Sequence, residues 1–235
     1  MRQLPLGVRI PDRAVFATFL PARNLQAVQH LTRMARAEVA GVAWVCGAPG
    51  SGKTHLLQAV CVQASESMRA AYLPLAEMQS FGTGVLEGAG QIDCLCLDDL
   101  HTVLGRPDWE RALFEIFREI EEQGGRLVAA APMPPALAQW SLADLGSRFS
   151  ASAVFQLRSL DESEQQEALR LRAQTRGFDL PDETSRWLLR HFTRDMRALY
   201  SLLDTLDEAA LVAQRRLTVP FIRTVLREQG QAPES

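Results

Sequence analysis

The sequence predicts an α/β fold, a parallel five-stranded sheet flanked by helices, followed by a small C-terminal domain made only of helices. Three observations support this fold class. Short apolar segments alternate with stretches of helical periodicity, and a glycine-rich loop joins the first such segment to a helical one. From Asp161 onward, helical patterns follow one another without strands. We therefore expect an α/β domain at residues 10–158 and a helical lid domain at residues 159–235.

Composition and charge disfavour a DNA-binding protein and a membrane protein. The 235 residues are 47% hydrophobic and carry a net charge of −3. A chain of this size can bury one good core and a small second one. The charge gives no basic footprint of the kind that drives nucleic-acid binding, so direct binding to DNA is disfavoured. No apolar run approaches the roughly 20 residues of a membrane span, and the N-terminus lacks the features of a signal peptide. We expect a cytoplasmic protein without a membrane partner.

The four cysteines fall inside predicted strands or helices, and we interpret them as reduced core residues. The alternative is a metal site at Cys94 and Cys96, which would share one face of a strand. No second pair of ligands accompanies them, so core residues are the better interpretation.

Two phenylalanines precede the first predicted helix, which runs from Asn24 to about Arg36. Phe16 and Phe19 have two interpretations. Their rings pack near a nucleotide base, or they form a hydrophobic staple that fixes how the chain enters the helix.

The glycine-rich loop is the most specific signal in the chain. Gly47–Thr54 reads G-x-x-x-x-G-K-T between the predicted strand Gly41–Cys46 and a helical segment, which is the context of a P-loop. Its glycines let successive N–H groups point inward at the positive end of the helix, where they hold phosphate. Lys53 is expected to reach the β/γ-phosphates and Thr54 to bind Mg²⁺. The alternative is an ordinary glycine-rich turn. The predicted nucleotide-binding residues here are Gly47, Pro49, Gly50, Ser51, Gly52, Lys53, Thr54 and His55.

A second strand is predicted at Arg69–Leu75 and a third at Gln91–Asp99, which ends in two carboxylates. Asp98 is expected to hold Mg²⁺ through water, because a hard cation prefers oxygen ligands. Asp99 is expected to polarise an attacking water as a general base. The alternative is that both carboxylates only form a turn.

The remaining elements follow in order. An amphipathic helix opens at Asp108 and stops at Gly124-Gly125, and strands are predicted at Arg126–Ala131 and Ala153–Leu157. In the helical domain, Asp161 and Glu164 form a capping pair, and Gly177 ends the first helix. Three more helices are predicted at Asp182 to about Phe192, Asp195 to about Ala213, and Pro220 to about Glu228. The buried stripe of the helix that begins at Asp195 comprises Met196, Leu199, Leu203, Leu206 and Ala210.

The motifs together resemble an AAA+ ATPase of the DnaA/initiator clade over essentially the whole chain. The matching segments, in the family's order, are Phe16 with Phe19, Gly47–Thr54, Asp98-Asp99, Ser147–Phe149 and Asp195–Leu199. Within that clade the chain most resembles the Hda family, the DnaA-homologous proteins of regulatory inactivation. The segments that carry this closer resemblance are Gln3-Leu4, Leu171–Pro181 and Arg215–Phe221.

The resemblance implies roles for residues that local patterns leave open. Arg148 matches the arginine finger, which projects into a neighbouring subunit's nucleotide site, whereas taken alone it is a surface salt bridge. Arg197 matches sensor 2, which reports the nucleotide state, whereas taken alone it is a charge near a helix start. Residues 1–9 resemble the short peptide that docks on the replication sliding clamp, with Gln3, Leu4 and Leu6 as its anchors. The alternative for this segment is a disordered terminus.

The function implied is negative regulation of replication initiation. With ADP or ATP and Mg²⁺ bound, the protein would dock on the DNA-loaded sliding clamp of DNA polymerase III and stimulate hydrolysis of ATP on the DnaA initiator. DNA would be contacted only through the clamp, and the resemblance leaves monomer and homodimer open. One alternative is an autonomous ATPase that loads helicase or remodels a substrate. It is disfavoured because Ala129–Ala131 and Met133 stand where such an ATPase has a polar contact to the γ-phosphate. Another is an adaptor that stimulates no hydrolysis.

Overall fold

The five short apolar segments pair in parallel as one sheet, with strand order β2-β3-β4-β1-β5. The computed structural model describes residues 14–192 and 195–228. The strands are β1, Gly41–Cys46; β2, Ala70–Pro74; β3, Cys94–Asp98; β4, Arg126–Ala131; and β5, Ala153–Gln156. Residue pairs such as Ala43↔Val128 and Cys96↔Val128 fix the register of the three central strands. The predicted parallel five-stranded sheet is confirmed.

Helices cover both faces of the sheet. Their bounds are α1, Leu25–Ala35; α2, Lys53–Ala64; α3, Leu75–Met78; α4, Pro107–Glu122; and α5, Ala143–Ser150. On one face, Trp44 and Leu97 pack with Phe117 of α4. On the other, Val45 and Val128 pack with helices α1 and α2. Because successive strand residues point to opposite faces, a sheet covered on both sides needs apolar residues at nearly every position. This explains the non-alternating strands of the sequence.

The connection between β2 and β3 consists of α3 followed by three short 3₁₀ turns. These turns are Gln79–Phe81, Thr83–Leu86 and Ala89–Gln91. The sequence patterns predict no helix in this connection and none at α5. Elements this short depend on packing rather than on their own periodicity. Leu75 in α3 and Leu145 in α5 are fully buried, which is the packing that holds them.

The chain divides into two compact units between Ser159 and Leu160. The second unit is helical in its described part: α6, Glu162–Thr175; α7, Asp182–His191; α8, Met196–Ala213; and α9, Val219–Glu228. Asp161 Oδ1 accepts from Glu164 N and the Glu164 carboxylate accepts from Asp161 N, which confirms the predicted capping pair. The predicted apolar stripe of α8 is also confirmed, since all of its members are buried.

A charged cluster joins α6 to α8 within this unit. Arg172 forms two hydrogen bonds to Asp204, at 2.7 and 3.2 Å, and its guanidinium lies 4.8 Å from the centre of the Tyr200 ring. Arg176 also pairs with Asp204, and with Asp207 at 2.7 Å. The Arg176 side chain is only 8% exposed, so these carboxylates balance a largely buried charge.

All four cysteines are buried and free, at the core positions proposed for them. Among residues 14–192 and 195–228, no helix combines the length and the apolar character needed to cross a membrane.

Candidate nucleotide-binding site

The sheet order brings the glycine-rich loop and the two carboxylates to one edge. The loop follows β1 and Asp98 ends β3, and only β4 lies between these two strands. Because all strands are parallel, their carboxyl ends share the edge where ligands of open α/β sheets bind. Two motifs that are about fifty positions apart in the sequence thus belong to one site.

The loop backbone needs glycine at two positions in particular. Gly50 and Gly52 have φ angles of 75° and 96°, in the left-handed region that favours glycine. A Cβ atom on Gly52 would lie 2.6 Å from Cε2 of Phe19, closer than real contacts allow. A Cβ on Gly47 would lie 2.8 Å from both the Leu157 carbonyl oxygen and Ser51 Oγ. The loop is therefore closely surrounded on its protein side, and its backbone cannot relax around a side chain.

Two polar side chains of the loop are aimed inward. Lys53, the first residue of α2, donates from Nζ to the carbonyl oxygens of Gly47 and Ala48 at 2.8 and 3.0 Å. The ammonium is thereby folded over the loop. Ser51 is 6% exposed, and its Oγ has no hydrogen-bond partner within the described part of the chain. A buried hydroxyl without a partner is costly, so a ligand that supplies one is favoured here.

Residues just ahead of α1 support the loop from outside. Phe19 is 9% exposed and its ring meets the His55 ring edge-on, with centroids 5.4 Å apart. His55 Nε2 lies 3.0 Å from the Val15 carbonyl oxygen and 3.3 Å from Thr18 Oγ1. The His55 side chain is thus engaged with the segment before α1. Its backbone N–H, in the first turn of α2, is the group left to serve a phosphate.

The buried amide of Asn24 ties this segment to the chain that follows β5. Asn24 Nδ2 donates to the Arg158 carbonyl oxygen at 2.9 Å, and Arg158 N donates back to Asn24 Oδ1 at 2.8 Å. Leu157 N donates to the Cys46 carbonyl oxygen at 2.7 Å, directly before the loop. The reciprocal pair therefore fixes the wall against which Gly47 packs.

Asp98 is 2% exposed and both of its oxygens accept hydrogen bonds. Tyr72 donates its hydroxyl to Oδ2 at 2.8 Å, and the backbone N–H of Asp99 donates to Oδ1 at 2.9 Å. Asp99 itself has a left-handed backbone, with φ of 53°, an uncommon conformation that non-glycine residues adopt more often at functional sites. Burial, followed by the neighbouring charge of Asp98, raises the pKa of Tyr72, so the phenol keeps its proton and remains the donor.

These residues fit a nucleoside polyphosphate with a divalent cation. The closely packed glycines, the Lys53 ammonium and the Ser51 hydroxyl, which has no partner among residues 14–192 and 195–228, suit phosphate oxygens at the N-terminus of α2. The hydroxyl of Thr54 and the carboxylate of Asp98 are oxygen ligands of the kind that Mg²⁺ prefers.

Arg148 lies in α5, directly before one of the buried residues that anchor this helix. Phe149 is fully buried, and its ring packs 5.1 Å from both Trp44 and Phe117. The Arg148 side chain is 41% exposed and donates to Glu121 Oε2 at 2.7 Å. The guanidinium also lies 5.2 Å from the Phe114 ring centre. Arg148 is thus a partly exposed charge on a helix that is anchored in the core, and it is paired with Glu121 of the same chain.

Two family models match this chain, one over the α/β unit and one over the helical unit. A family model described as the bacterial DnaA ATPase domain matches residues 11–156, more than half of the 235 residues. The chain belongs to this family. A second family model, described as the lid domain of Hda, matches residues 161–226. This DnaA homologue is therefore an Hda-type AAA+ protein, and the family inferred from its motifs is confirmed.

Solved structures agree on the fold of this DnaA homologue. Domain III of the Thermotoga maritima replication initiation protein DnaA matches with a TM-score of 0.75 at 21% identity, over 93% of this chain and 97% of that one. A replication initiator DnaA bound to AMPPCP and single-stranded DNA matches with a TM-score of 0.69 at 19% identity, over 88% and 69% of the two chains. The Thermotoga maritima RuvB branch migration motor matches with a TM-score of 0.56 at 16% identity, over 88% and 68%. At these identities the likeness establishes the AAA+ fold alone.

The remaining predicted site residues of this DnaA homologue are Arg197 and three residues near the N-terminus. Arg197 is exposed in the first turn of α8, in the second unit, and its backbone N–H donates to Asp195 Oδ1 at 3.0 Å. Gln3, Leu4 and Leu6 lie outside the described residues. The roles predicted for these four side chains remain predictions.

Three residues of the site were not found from the sequence. Tyr72 and Asn24 make the contacts described above. Glu110 in α4 is fully buried and accepts from the backbone N–H groups of Gly105, Ser141 and Leu142, at 2.7, 3.0 and 2.6 Å. It thereby anchors the chain that leads into α5. The available signal for Glu110 was an acid among the apolar positions of an amphipathic helix.

Proposed function

We propose that this protein is a negative regulator of DNA replication initiation. In this proposal it binds ADP or ATP, docks on the DNA-loaded sliding clamp, and stimulates hydrolysis of the ATP held by DnaA. Membership of the DnaA ATPase family and the match to the Hda lid model support the replication context. The observation that carries the proposal is the exposed guanidinium of Arg148 on a helix whose other face is buried.

Nucleotide binding is assigned to the loop and the first turn of α2. The backbone N–H groups of Gly47–Thr54 and the Lys53 ammonium would hold the phosphates, and Ser51 would donate to one phosphate oxygen. Thr54 and Asp98 would hold Mg²⁺, and Arg197 would contact the phosphates as sensor 2. Mg²⁺ supplies positive charge that offsets the phosphate charge. Asp99 would act as general base if the protein hydrolyses its own ATP.

The stimulating group is assigned to Arg148. A guanidinium placed at the γ-phosphate of a partner's ATP stabilises the charge that spreads over the phosphoryl group, which is worth roughly 10³–10⁵ in rate. Both side chains of the Arg148–Glu121 ion pair are partly exposed to solvent. Replacing Glu121 by a partner's phosphate as the group that binds Arg148 therefore costs only about 0–1 kcal/mol. The protein's own nucleotide would then serve to order the site rather than to be turned over.

The test replaces Arg148 and measures ATP hydrolysis by DnaA in the presence of DNA-loaded clamp. We expect Arg148→Ala to abolish the stimulation while binding of ADP and of the clamp stays unchanged. Arg148→Lys should recover little, because an ammonium lacks the planar fork of the guanidinium. A matched control is Arg118→Ala in α4, which also removes an exposed arginine from ion pairs, here with Glu115 and Glu122. Full stimulation by Arg148→Ala would refute the assignment.

Two further variants test the other parts separately. Lys53→Ala should weaken ADP binding in calorimetry, and an unchanged affinity would contradict the P-loop assignment.

Gln3→Ala should lose binding to the clamp and keep binding to nucleotide. Retained clamp binding would exclude the N-terminal peptide as the docking segment.

A second candidate is an autonomous ATPase that loads or remodels a replication partner. The complete set of Lys53, Thr54, Asp98 and Asp99 favours it, since these groups suffice in principle for the protein's own hydrolysis. The apolar end of β4, at Ala129–Ala131, argues against it. Turnover measured with the protein alone, and then with clamp, DNA and DnaA, separates the two candidates. Rapid turnover by the protein alone that persists in Arg148→Ala would favour the ATPase.

A further inference from the structure

We propose that Tyr72 is a positioning residue for Mg²⁺, acting through the carboxylate of Asp98. This inference rests on the nucleotide-binding part of the proposed function and adds a residue to it. Tyr72 lies in β2, at a position that none of the nucleotide-binding motifs includes. Its hydroxyl donates to Asp98 Oδ2 at 2.8 Å, in a contact buried from solvent.

Strand register explains how the ring reaches the carboxylate. In the parallel pairing of β2 with β3, Tyr72 lies opposite Cys96, and Pro74 lies opposite Asp98. Residues two positions apart on a strand point to the same face and lie about 6.6 Å apart. The Tyr72 side chain therefore extends along this face, toward the carboxyl end of β3, and covers the two-residue step with its ring. Shorter side chains at this position cannot make the contact.

The contact matters because it leaves Asp98 with one defined orientation. The Tyr72 hydroxyl holds Oδ2, and the Asp99 N–H holds Oδ1 at 2.9 Å. A carboxylate has about four acceptor sites, so each oxygen keeps a free lone pair while the group as a whole cannot rotate. Hydrogen bonds that orient a metal ligand in this way reduce the ordering that metal binding requires.

Tyr72 is a positioning residue because its hydroxyl donates its proton to Asp98 rather than to a ligand. Its side chain is part of the apolar cluster on the face of the sheet that α1 and α2 cover, and the residue is 7% exposed. Replacing it with phenylalanine removes one oxygen and keeps the ring that fills this cluster. The substitution therefore separates the hydrogen bonds of the hydroxyl, with Asp98 and with Gln58, from the packing of the ring.

The experiment measures ADP affinity by calorimetry across a series of Mg²⁺ concentrations and in EDTA. For Tyr72→Phe we expect ADP binding in EDTA to equal that of the wild type. The Mg²⁺ concentration that gives the half-maximal gain in affinity should rise about 3- to 10-fold, less than the 10–100-fold typical for partners of direct metal ligands. The control variant is Tyr200→Phe, which alters the other tyrosine of the chain, in the helical unit.

A double-mutant cycle with Asp98→Asn tests the route of the effect. If Tyr72 acts through the carboxylate, Tyr72→Phe should change the Mg²⁺ dependence of wild-type protein and leave that of Asp98→Asn unaltered. An unchanged Mg²⁺ midpoint would overturn the inference. So would an equal loss of affinity in EDTA, or a shift that persists in the Asp98→Asn background, because each indicates a role in packing alone.

The outcomes also separate this inference from the proposed function. If wild-type protein binds ADP with a clear Mg²⁺ dependence and Tyr72→Phe behaves identically, only the role of Tyr72 fails. If wild-type protein binds no ADP under any condition, the nucleotide-binding assignment itself fails.

Discussion

Arg148 forms an ion pair with Glu121 at 2.7 Å, and the two side chains keep 41% and 46% of their surface exposed. The guanidinium also lies 5.2 Å from the Phe114 ring and 5.7 Å from the Phe117 ring. An arginine that serves a partner's phosphate must exchange this carboxylate for a more highly charged group. The pair thus holds Arg148 in one orientation while leaving it accessible.

Glu121→Gln should lower the cost of that exchange. Because an exposed ion pair is worth about 0–1 kcal/mol, the concentration of this protein that gives half-maximal stimulation of DnaA should fall by up to about 5-fold. Titration of ATP hydrolysis by DnaA measures this. The control is Glu115→Gln on the same helix, which removes an acid paired with Arg118. A higher half-maximal concentration for Glu121→Gln alone would show that the carboxylate aims Arg148 rather than holding it back.

Gly52→Ala should impair nucleotide binding through steric strain. The residue has a φ of 96°, and a Cβ there would lie 2.6 Å from the Phe19 ring. The left-handed conformation alone costs about 1–2 kcal/mol, and the contact forces the loop or Phe19 to move. We expect a loss of ADP affinity greater than about 10-fold. Gly105→Ala is the control, because its φ is 76° and no atom lies within 4 Å of its Cβ position. Equal ADP affinity for the two variants would contradict this account.

Ser51→Ala should change stability and binding in opposite directions. Removing a buried hydroxyl that has no partner among the described residues should raise the free energy of unfolding of the nucleotide-free protein by about 1 kcal/mol. Losing a donor to phosphate should weaken ADP binding about 2- to 10-fold. Urea denaturation and calorimetry provide the two measurements. In the control Ser65→Ala, a hydroxyl that donates to the Cys61 carbonyl at 2.7 Å is lost, so stability should fall and binding should not change.

Asp93 should make stability depend on pH in the acid range. Arg69 donates to it from its backbone N–H and from Nε and a terminal guanidinium nitrogen, at 2.9, 3.0 and 2.8 Å. These bonds lower the pKa of Asp93 to about 2 from an ordinary value of 3.8. A depressed pKa in the folded state gives stability that is present above the unfolded pKa and is lost as the pH falls toward the folded one.

The difference in unfolding free energy between wild type and Asp93→Asn should therefore be constant above about pH 5 and shrink between about pH 4 and pH 2. Denaturant titrations at a series of pH values measure it. A difference that does not change across this range would show that the ion pair contributes nothing to the pH dependence of folding.

Short sequence motifs predict part of this candidate site and not the rest. The spacing within Gly47–Thr54 and the two acids that end β3 are contained in short segments, and the P-loop motif binds through its own backbone. Such features can be read from the sequence because the chemistry and the spacing are local. Roles that depend on a partner or on another segment, such as those of Gln3, Arg148 and Arg197, are predicted only from the resemblance to a family.

The sequence by itself determined the α/β class, the five parallel strands and the helical second unit. Hydrophobic periodicity and turn residues specify these features segment by segment. Only the tertiary structure decided three hydrogen-bonded pairings. Tyr72 donates to Asp98, Asn24 donates to the Arg158 carbonyl oxygen, and Glu110 accepts from the backbone of the chain before α5. In each case the partners are 26 to 134 positions apart, and a buried polar group selects its partner by distance in the folded chain. No pattern within either segment encodes that distance.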